Sequence, residues 1–509
     1  MKQSYERMGQ ALLFRCVITV AIIGGSVLRF AVDSQLWLDE ALSVNISSLS
    51  PGQMFEALRN DGHPPLYYLM LHWWIELFGD SNLAVRSMSG VIALATLPLA
   101  WIAGKRYGGK VVGQIAVAML AVSPFATRYA TEARMYSLVT LLALAGWIAL
   151  QRVIERRSPM RLASVTLVSG LLLLTHYWAI YVLASVILTL VWGAWRGRLR
   201  EDRKGAIWII ASIAGGSFLF LPWLPSFLEQ VSNTGTPWGT PVRPGVMFVT
   251  MLTDFGGGLY GEAQLLGAVI GVFALLALVA RPIDHNRIEI DFRTMAIARP
   301  ETAVVAVTLG LAVVAGYLSA SAFASRYTAV VFPLIILLAA RGVSLLPAKS
   351  IQLIAVTVIV ALGLGTATRT AITERTQAGE IAGAIVRTGQ AGDVVAFCPD
   401  QLGPAVSRLL PDYFRTLSYP DFASPELVNW VDYANRMQES DPLGFGRKLD
   451  EVAGESRVWL VWSGDYRSVE GKCEALIQQL GQLRPGPQTV AEVNTLFEHG
   501  QLLVFENNG

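Results

Sequence analysis

Apolar residues in this chain are gathered into long runs broken by short polar segments, instead of recurring at the spacing of half-buried helices or strands. The runs lie near 11–31, 82–104, 111–127, 134–151, 161–175, 177–194, 206–224, 262–280, 301–319, 327–346 and 350–368. A helix needs about 20 apolar residues to cross the ~30 Å hydrocarbon core of a bilayer. The pattern therefore predicts about eleven transmembrane helices in a polytopic α-helical membrane protein. The segment His63–Gly79, with Tyr67, Tyr68, Trp73 and Trp74, is expected to lie in the outer interface without crossing, as aromatic belts do.

Lys and Arg set the orientation, because cytoplasmic loops carry the basic excess. Lys2, Arg7 and Arg15 precede or open the first run, which predicts a cytoplasmic N-terminus and a retained first span. Counting outward, the loops expected inside hold Lys105, Arg106 and Lys110; Arg152, Arg156, Arg157 and Arg161; Arg196, Arg198, Arg200, Arg203 and Lys204; and Arg281, Arg287, Arg293 and Arg299. The expected division is a transmembrane domain over 1–368, with a first outer loop at 32–81, and an extracytoplasmic domain over 369–509. A Gly/Pro-rich outer loop at 223–261, with Asp254 and Tyr260 as contacts, reads as a lid or as a plain connection.

The tail has ordinary polarity. Val394–Phe397, Val458–Trp462 and Leu502–Phe505 read as buried strands, with helix-like stretches near 403–410, 444–453 and 469–481, so a small α/β domain is expected. Of the three cysteines, Cys16 sits in the first run as a packing residue, while Cys398 and Cys473 both lie in the tail counted as outside, where a disulfide between them is allowed and left undetermined by the sequence. Composition adds weight: 53% hydrophobic, 15% charged and a mean hydropathy of +0.47 exclude an ordinary soluble domain. The net charge of +2 is uninformative, and no nucleic-acid partner is indicated.

The polar clusters near span ends all fall on the side counted as outer. Arg29, Asp39, Glu40 and Asp61-Gly62-His63 come from the first outer loop; Arg128-Tyr129, Glu132 and Arg134 from the second; His176-Tyr177-Trp178 from the third; Ser325-Arg326-Tyr327 from a later one. Ionisable groups at membrane depth are costly and usually line a functional cavity. A carboxylate there can deprotonate a hydroxyl, while Arg134, Arg326 and Arg86 can neutralise a phosphate. Together they suggest transfer from a phosphate-linked donor, with Asp39 as base and Glu40 in support, or the reverse. Each residue also has an ordinary explanation: Asp39 and Glu40 solvated at a helix end, His63 satisfying a turn before Pro64-Pro65, Glu132 pairing with Arg134, Arg326 snorkelling to the interface.

Trp37-Leu38-Asp39-Glu40, His63-Pro64-Pro65-Leu66-Tyr67-Tyr68, Phe78-Gly79-Asp80-Ser81 with Arg86, Ser123-Pro124, and Glu132-Ala133-Arg134-Met135-Tyr136 together resemble the GT-C glycosyltransferases of the protein mannosyltransferase type (glycosyltransferase family 39). Bacterial aminoarabinose transferases are relatives. The resemblance covers the first 200 residues in motif order and the rest by architecture. It implies the GT-C fold, an inverting transfer, a polyprenyl-phosphate-linked sugar donor with mannose favoured, and Asp39 as the catalytic base beside Glu40. His63, Arg86, Glu132, Arg134, Tyr136, His176, Tyr177, Arg326 and Tyr327 are the expected substrate-binding residues. The acceptor would be a glycan, glycolipid or protein hydroxyl in the envelope of a bacterium, with the protein in its inner membrane. No cofactor is required by such a site, and a divalent cation stays open if Asp39, Glu40 and His63 converge. The alternative is a transporter or flippase of lipid-linked sugars, although no paired halves are visible. A third reading, in which the tail binds glycans beside a non-catalytic anchor, has no site motif behind it.

Overall fold

The computed structural model describes residues 2–195, 203–234, 239–284, 287–319 and 321–507, with only the backbone of residues 2–7. Arg196, Arg198 and Arg200 of the basic loop, and Gly235 and Pro237 of the 223–261 segment, lie outside the described residues. The chain divides into two compact units: Met1–Val32, Arg86–Leu224 and Pro241–Ile372 form the first, and Asp33–Val85, Pro225–Thr240 and Thr373–Gly509 the second.

The first unit is a helical bundle, and the membrane-length helices of the chain belong wholly or mainly to it. Among the described residues, seven helices are long and apolar enough to cross a membrane: Met8–Leu28, Asn82–Gly108, Tyr136–Glu155, Arg203–Asn233, Gly261–Val279, Arg299–Leu318 and Lys349–Ile372. The pair Lys110–Ala121 and Pro124–Ala130, bent by 55°, makes an eighth if taken as one span. Pro159–Leu173, Ala179–Trp195 and Phe332–Ser344 are shorter apolar helices. All the apolar runs of the sequence fall on these elements. Their number of crossings depends on the short and bent ones. Cys16 is exposed on its helix and does not pack within the bundle.

Close helix packing in this unit depends on glycine. A Cβ on Gly342 would lie 1.8 Å from the Phe273 carbonyl oxygen, and one on Gly267 2.2 Å from that of Leu252, so these helices meet backbone to backbone. The buried Arg29 guanidinium donates to the carbonyls of Gly25 (2.6 Å), Ala121 (2.8 Å) and Leu120 (2.9 Å). It thereby satisfies the end of helix Lys110–Ala121, where carbonyls lack intrahelical donors. Arg29 is a cap in this bundle. A small antiparallel hairpin, β1 (Ala280–Pro282) with β2 (Ile288–Ile290), interrupts the basic segment before Arg299.

The second unit holds the tail's sheet: β3 (Val394–Cys398), β4 (Arg415–Ser418), β5 (Val458–Trp462), β6 (Gln488–Ala491) and β7 (Gln501–Phe505), in spatial order β4-β3-β5-β7-β6. The pairs β4–β3 and β3–β5 are parallel, and β5–β7 and β7–β6 antiparallel. Helices Pro442–Ala453 and Lys472–Leu483 cover it, and a disulfide joins Cys398 at the end of β3 to Cys473. The same unit contains helices Leu38–Ser47, Pro51–Asp61 and Leu66–Phe78. The last has 13 residues, about 20 Å at 1.5 Å per residue, which is too short to span a bilayer. The 223–261 segment is mostly helical, as Leu224–Asn233 and Pro244–Gly256, because two of its prolines, Pro225 and Pro244, sit in the first turn, where the ring is tolerated.

The disulfide joins residues 75 apart in sequence, a loop whose closure is worth about 2–5 kcal/mol. Cys398→Ser is expected to lower the unfolding free energy of the full-length protein by that amount, measured by denaturant titration in detergent. Reductant should reproduce the loss in the wild type.

Candidate active site

The candidate residues divide between the units. Asp39, Glu40 and His63 belong to the second. Arg86, Glu132, Arg134, Tyr136, His176, Tyr177, Arg326 and Tyr327 belong to the first.

In the second unit, Asp39 and Glu40 occupy the first turn of helix Leu38–Ser47, where the N-terminal end of the helix dipole favours negative charge. Trp37, at the capping position, offers no acceptor of its own and makes no side-chain cap bond. The cap comes from Glu498, whose two carboxyl oxygens lie 3.2 and 3.1 Å from the Leu38 N–H. Glu40 is fully buried, with Arg375 Nη1 4.0 Å from its Oε2, and Arg375 is itself only 1% exposed. Asp39 is half-buried, so it is the more accessible of the two acids. Burial pushes the Glu498 carboxyl up to about 8, and the charges of Asp39 and Glu40 add to the effect. Hydrogen bonds from Thr376 and the Leu38 N–H act against it.

His63 follows helix Pro51–Asp61, which Gly62 closes in the left-handed conformation (φ 86°). Its Nδ1 lies 2.8 Å from Asp61 Oδ2, and the Tyr68 hydroxyl donates to the same oxygen at 2.7 Å. Asp61 thus orients His63 in the helix-ending turn. Among the described residues, no three His, Cys, Asp or Glu side chains gather as a metal ion would require.

In the first unit, Ser123 caps helix Pro124–Ala130 by accepting the Ala126 N–H at 3.2 Å, and one turn later Arg128 faces Glu132. Their Nε–Oε2 distance is 3.0 Å, with Glu132 buried and Arg128 half-buried. Thus Glu132 pairs with Arg128, four residues before it. Asp254, near the end of helix Pro244–Gly256, lies within electrostatic reach of Arg128, Arg326 and Glu132 and is hydrogen-bonded by Ser325. Burial raises its carboxyl above the ordinary range, while the Ser325 bond and the two arginines act in opposition. The packing at Gly256 and Gly257 positions it: a Cβ on Gly256 would lie 1.9 Å from the Ala263 oxygen, and one on Gly257 2.9 Å from Pro124 Cβ. Phe125, Phe255 and Phe332 pack helices Pro124–Ala130, Pro244–Gly256 and Phe332–Ser344 together, with ring centroids 4.7–4.9 Å apart.

An aromatic row runs from Tyr129 through Tyr136 (4.7 Å) and His176 (5.7 Å) to Tyr327 (5.4 Å). The Trp178 N–H donates to His176 Nδ1 at 3.1 Å, so a neutral imidazole carries its proton on Nε2. Tyr177 accepts from Trp223 Nε1 at 2.9 Å, which ties it into the packing of its own helix end. Arg326 lies 5.9 Å from the Tyr327 ring centre. Arg86 and Arg134 are both buried, and the Arg134 carbonyl accepts from Ser89. Sequence reasoning left Arg375 and Glu498 out and gave Arg128, Asp254 and Ser325 minor places. The signal for those three was a polar residue in a segment counted as outer.

Residues 62–225 match the family model of dolichyl-phosphate-mannose-protein mannosyltransferases. Among solved structures, ArnT from Cupriavidus metallidurans in the apo state is similar with a TM-score of 0.61 at 13% identity, over 98% of each chain. The same protein bound to undecaprenyl phosphate gives 0.56 at 14% identity, again over 98% of each chain. The Archaeoglobus fulgidus oligosaccharyltransferase tethered to an acceptor peptide gives 0.51 at 10%, over 97% of this chain and 74% of that one. No curated protein matches by sequence. The chain is a multi-pass membrane protein with the GT-C glycosyltransferase fold.

The raised Glu498 carboxyl has a consequence for stability. Between its ordinary value of 4.5 and about 8, the folded state holds a proton that the unfolded state has lost, so stability falls as pH rises through that window. Glu498→Gln removes the group, and its melting temperature is expected to decline less than that of the wild type between pH 5 and pH 8, as scanning fluorimetry would read.

Proposed function

We propose that this protein is an inverting glycosyltransferase that moves a sugar, with mannose favoured, from a polyprenyl-phosphate donor to a hydroxyl of a glycan, glycolipid or protein in the cell envelope. The observation that carries the reading is the sorting of the two acids at 39 and 40. Glu40 is buried against Arg375, whereas Asp39 stands half-buried beside it on a GT-C fold. Glu40 is enclosed by the fold, and Asp39 is the more exposed acid of the pair.

Asp39 takes the proton of the acceptor hydroxyl as its oxygen attacks the anomeric carbon. The bond from that carbon to the phosphate oxygen breaks on the opposite face, and its electron pair leaves with the lipid phosphate. A single displacement of this kind inverts the anomeric centre, and a phosphate leaving group needs charge stabilisation more than it needs a proton. We assign the phosphate to the basic groups of the first unit. Arg326 and Arg128 sit beside Asp254 and Glu132, which keep the cluster near neutrality until the phosphate adds its charge. Arg134 and Arg86 are buried supports of that region, and the row Tyr136, His176 and Tyr327 supplies ring faces suited to a sugar or an isoprenoid. His63, held by Asp61, is assigned to acceptor binding, and Tyr177 to shaping its own packed corner.

The bound undecaprenyl phosphate of the ArnT structure supports a lipid-phosphate donor. A disulfide in the tail supports an extracytoplasmic place for residues 369–509, since such bonds persist in oxidising compartments. The basic segments at 105–110 and 152–161 support a cytoplasmic N-terminus in a bacterial inner membrane.

Asp39→Asn keeps the shape and removes the base, so kcat is expected to fall by about 10²–10⁴ with donor affinity changed less than about threefold. Purified protein, a short-chain polyprenyl-phosphate mannose and a lipid extract as acceptor, read by mass spectrometry, provide the test; wild-type turnover in the variant would refute the assignment. Arg326→Ala is expected to raise the donor KM by about tenfold or more, the cost of one charged hydrogen bond.

A further inference from the structure

We infer that Glu498 is a positioning residue for the acidic turn at 39–40: its carboxyl group seats the first turn of helix Leu38–Ser47 and so determines where Asp39 stands. The inference rests on the reading of Asp39 as base. A helix leaves its first N–H groups without intrahelical partners, and a capping side chain ordinarily comes from the residue just before the helix. Trp37 occupies that place and cannot accept, so the Leu38 N–H is shared by both Glu498 oxygens, from 460 residues away.

Glu498 is well held for that task. Its N–H donates to the Arg375 carbonyl at 3.0 Å, and its own carbonyl accepts the Gln377 N–H at 2.9 Å, so it is tied on both sides to one extended segment. That segment reaches the same turn by two other routes. The Arg375 N–H donates to Ser34 Oγ at 3.0 Å, and the Arg375 guanidinium faces Glu40. The neighbouring Phe497 ring meets Trp37 edge-on at 5.2 Å. Residues 375–377 and 497–498 therefore grip Trp37, Leu38 and Glu40, on either side of the half-buried Asp39.

The charged and titratable groups around Glu498 are Asp39 and Glu40 on the helix, Arg375 with the Thr376 hydroxyl on the adjoining segment, and Tyr466 from the stretch after β5. His499, next in the chain, is engaged by Asp465 at 2.7 Å. With its carboxyl pushed up to about 8, Glu498 is mostly the neutral acid at pH 7, which still offers a carbonyl oxygen to the Leu38 N–H. Glutamine is a close mimic of that form, and alanine removes the cap.

The test uses the full-length protein in nanodiscs, as wild type, Glu498→Ala, Glu498→Gln and Asp39→Asn. The first readout, hydrogen–deuterium exchange, is independent of turnover. Glu498→Ala is expected to speed exchange at least tenfold in peptides covering 38–42 while leaving β3 unchanged, and Glu498→Gln to stay near the wild type. The second is kinetic, with polyprenyl-phosphate mannose from about pH 5.5 to 9.5. Alanine is expected to lower kcat about tenfold with donor KM within about twofold. Glutamine is expected to keep kcat at pH 7 and lose an inflection near pH 8 that the wild type shows. Unchanged exchange at 38–42 in the alanine variant, or an inflection near pH 8 persisting in glutamine, would overturn the role. If Asp39→Asn is inactive while both Glu498 variants match the wild type, the positioning role alone falls. If Asp39→Asn turns over normally, the base assignment falls, and exchange still decides whether Glu498 seats the helix.

Discussion

The Leu38 N–H has no acceptor in its own helix, and the molecule supplies one from the far end of the chain. A buried donor left alone costs about 1–3 kcal/mol, so bringing Glu498 to it is a condition for folding residues 33–47 as they are. The same turn buries Glu40, which could not remain ionised in that position without a cation, and Arg375 comes from the segment next to Glu498. Two demands of one turn, a cap and a countercharge, are met by residues 375–377 and 498. The second unit consequently cannot be divided into a loop and a tail. Segments 33–85 and 373–509 complete each other, and the acidic pair is where they do so.

The first unit solves a different problem with similar means. Its helices approach closely enough that Gly342 and Gly267 meet facing backbone oxygens, and the carbonyls at the end of helix Lys110–Ala121 are taken by Arg29. On that rigid bundle, Pro124, Gly257 and three phenylalanine rings bring Arg128, Asp254 and Arg326 into one electrostatic neighbourhood. That neighbourhood holds both signs of charge, and its arginines are the ones proposed to meet the donor phosphate.

Much of the architecture was legible because burial in a bilayer demands long apolar runs, and burial in the centre of a sheet demands short ones. All eleven apolar runs fall on helices, and β3, β5 and β7 fall on the three apolar stretches read as strands. The edge strands β4 and β6 were not visible, since Arg415–Ser418 and Gln488–Ala491 are partly exposed and carry no apolar run. The 223–261 segment read as an irregular loop because proline and glycine were counted as breakers; Pro225 and Pro244 in fact sit in the first turns of helices. Of the candidate site, Asp39, Glu40, Glu132 and Arg326 stood out as charges beside apolar runs. Glu498 and Arg375 did not. Their importance arises from partners 460 and 335 residues away, and neither has an unusual local context. The ordinary alternative for Glu132 was a pair with Arg134; it pairs with Arg128 instead, because the bend just past the end of helix Pro124–Ala130 turns it back onto that helix's last turn.

A single displacement at the anomeric carbon, with Asp39 as the proposed base, fixes the stereochemistry of the product. The most direct measurement of it is the anomeric configuration of the product, taken by carbon–hydrogen coupling in the NMR spectrum of sugar transferred from a polyprenyl-phosphate mannose of known configuration. The opposite configuration is expected in the product, formed by the wild type and absent from Asp39→Asn. Retention of configuration would contradict it, because that outcome needs two displacements and a covalent or ion-paired intermediate that this arrangement of acids is not proposed to form.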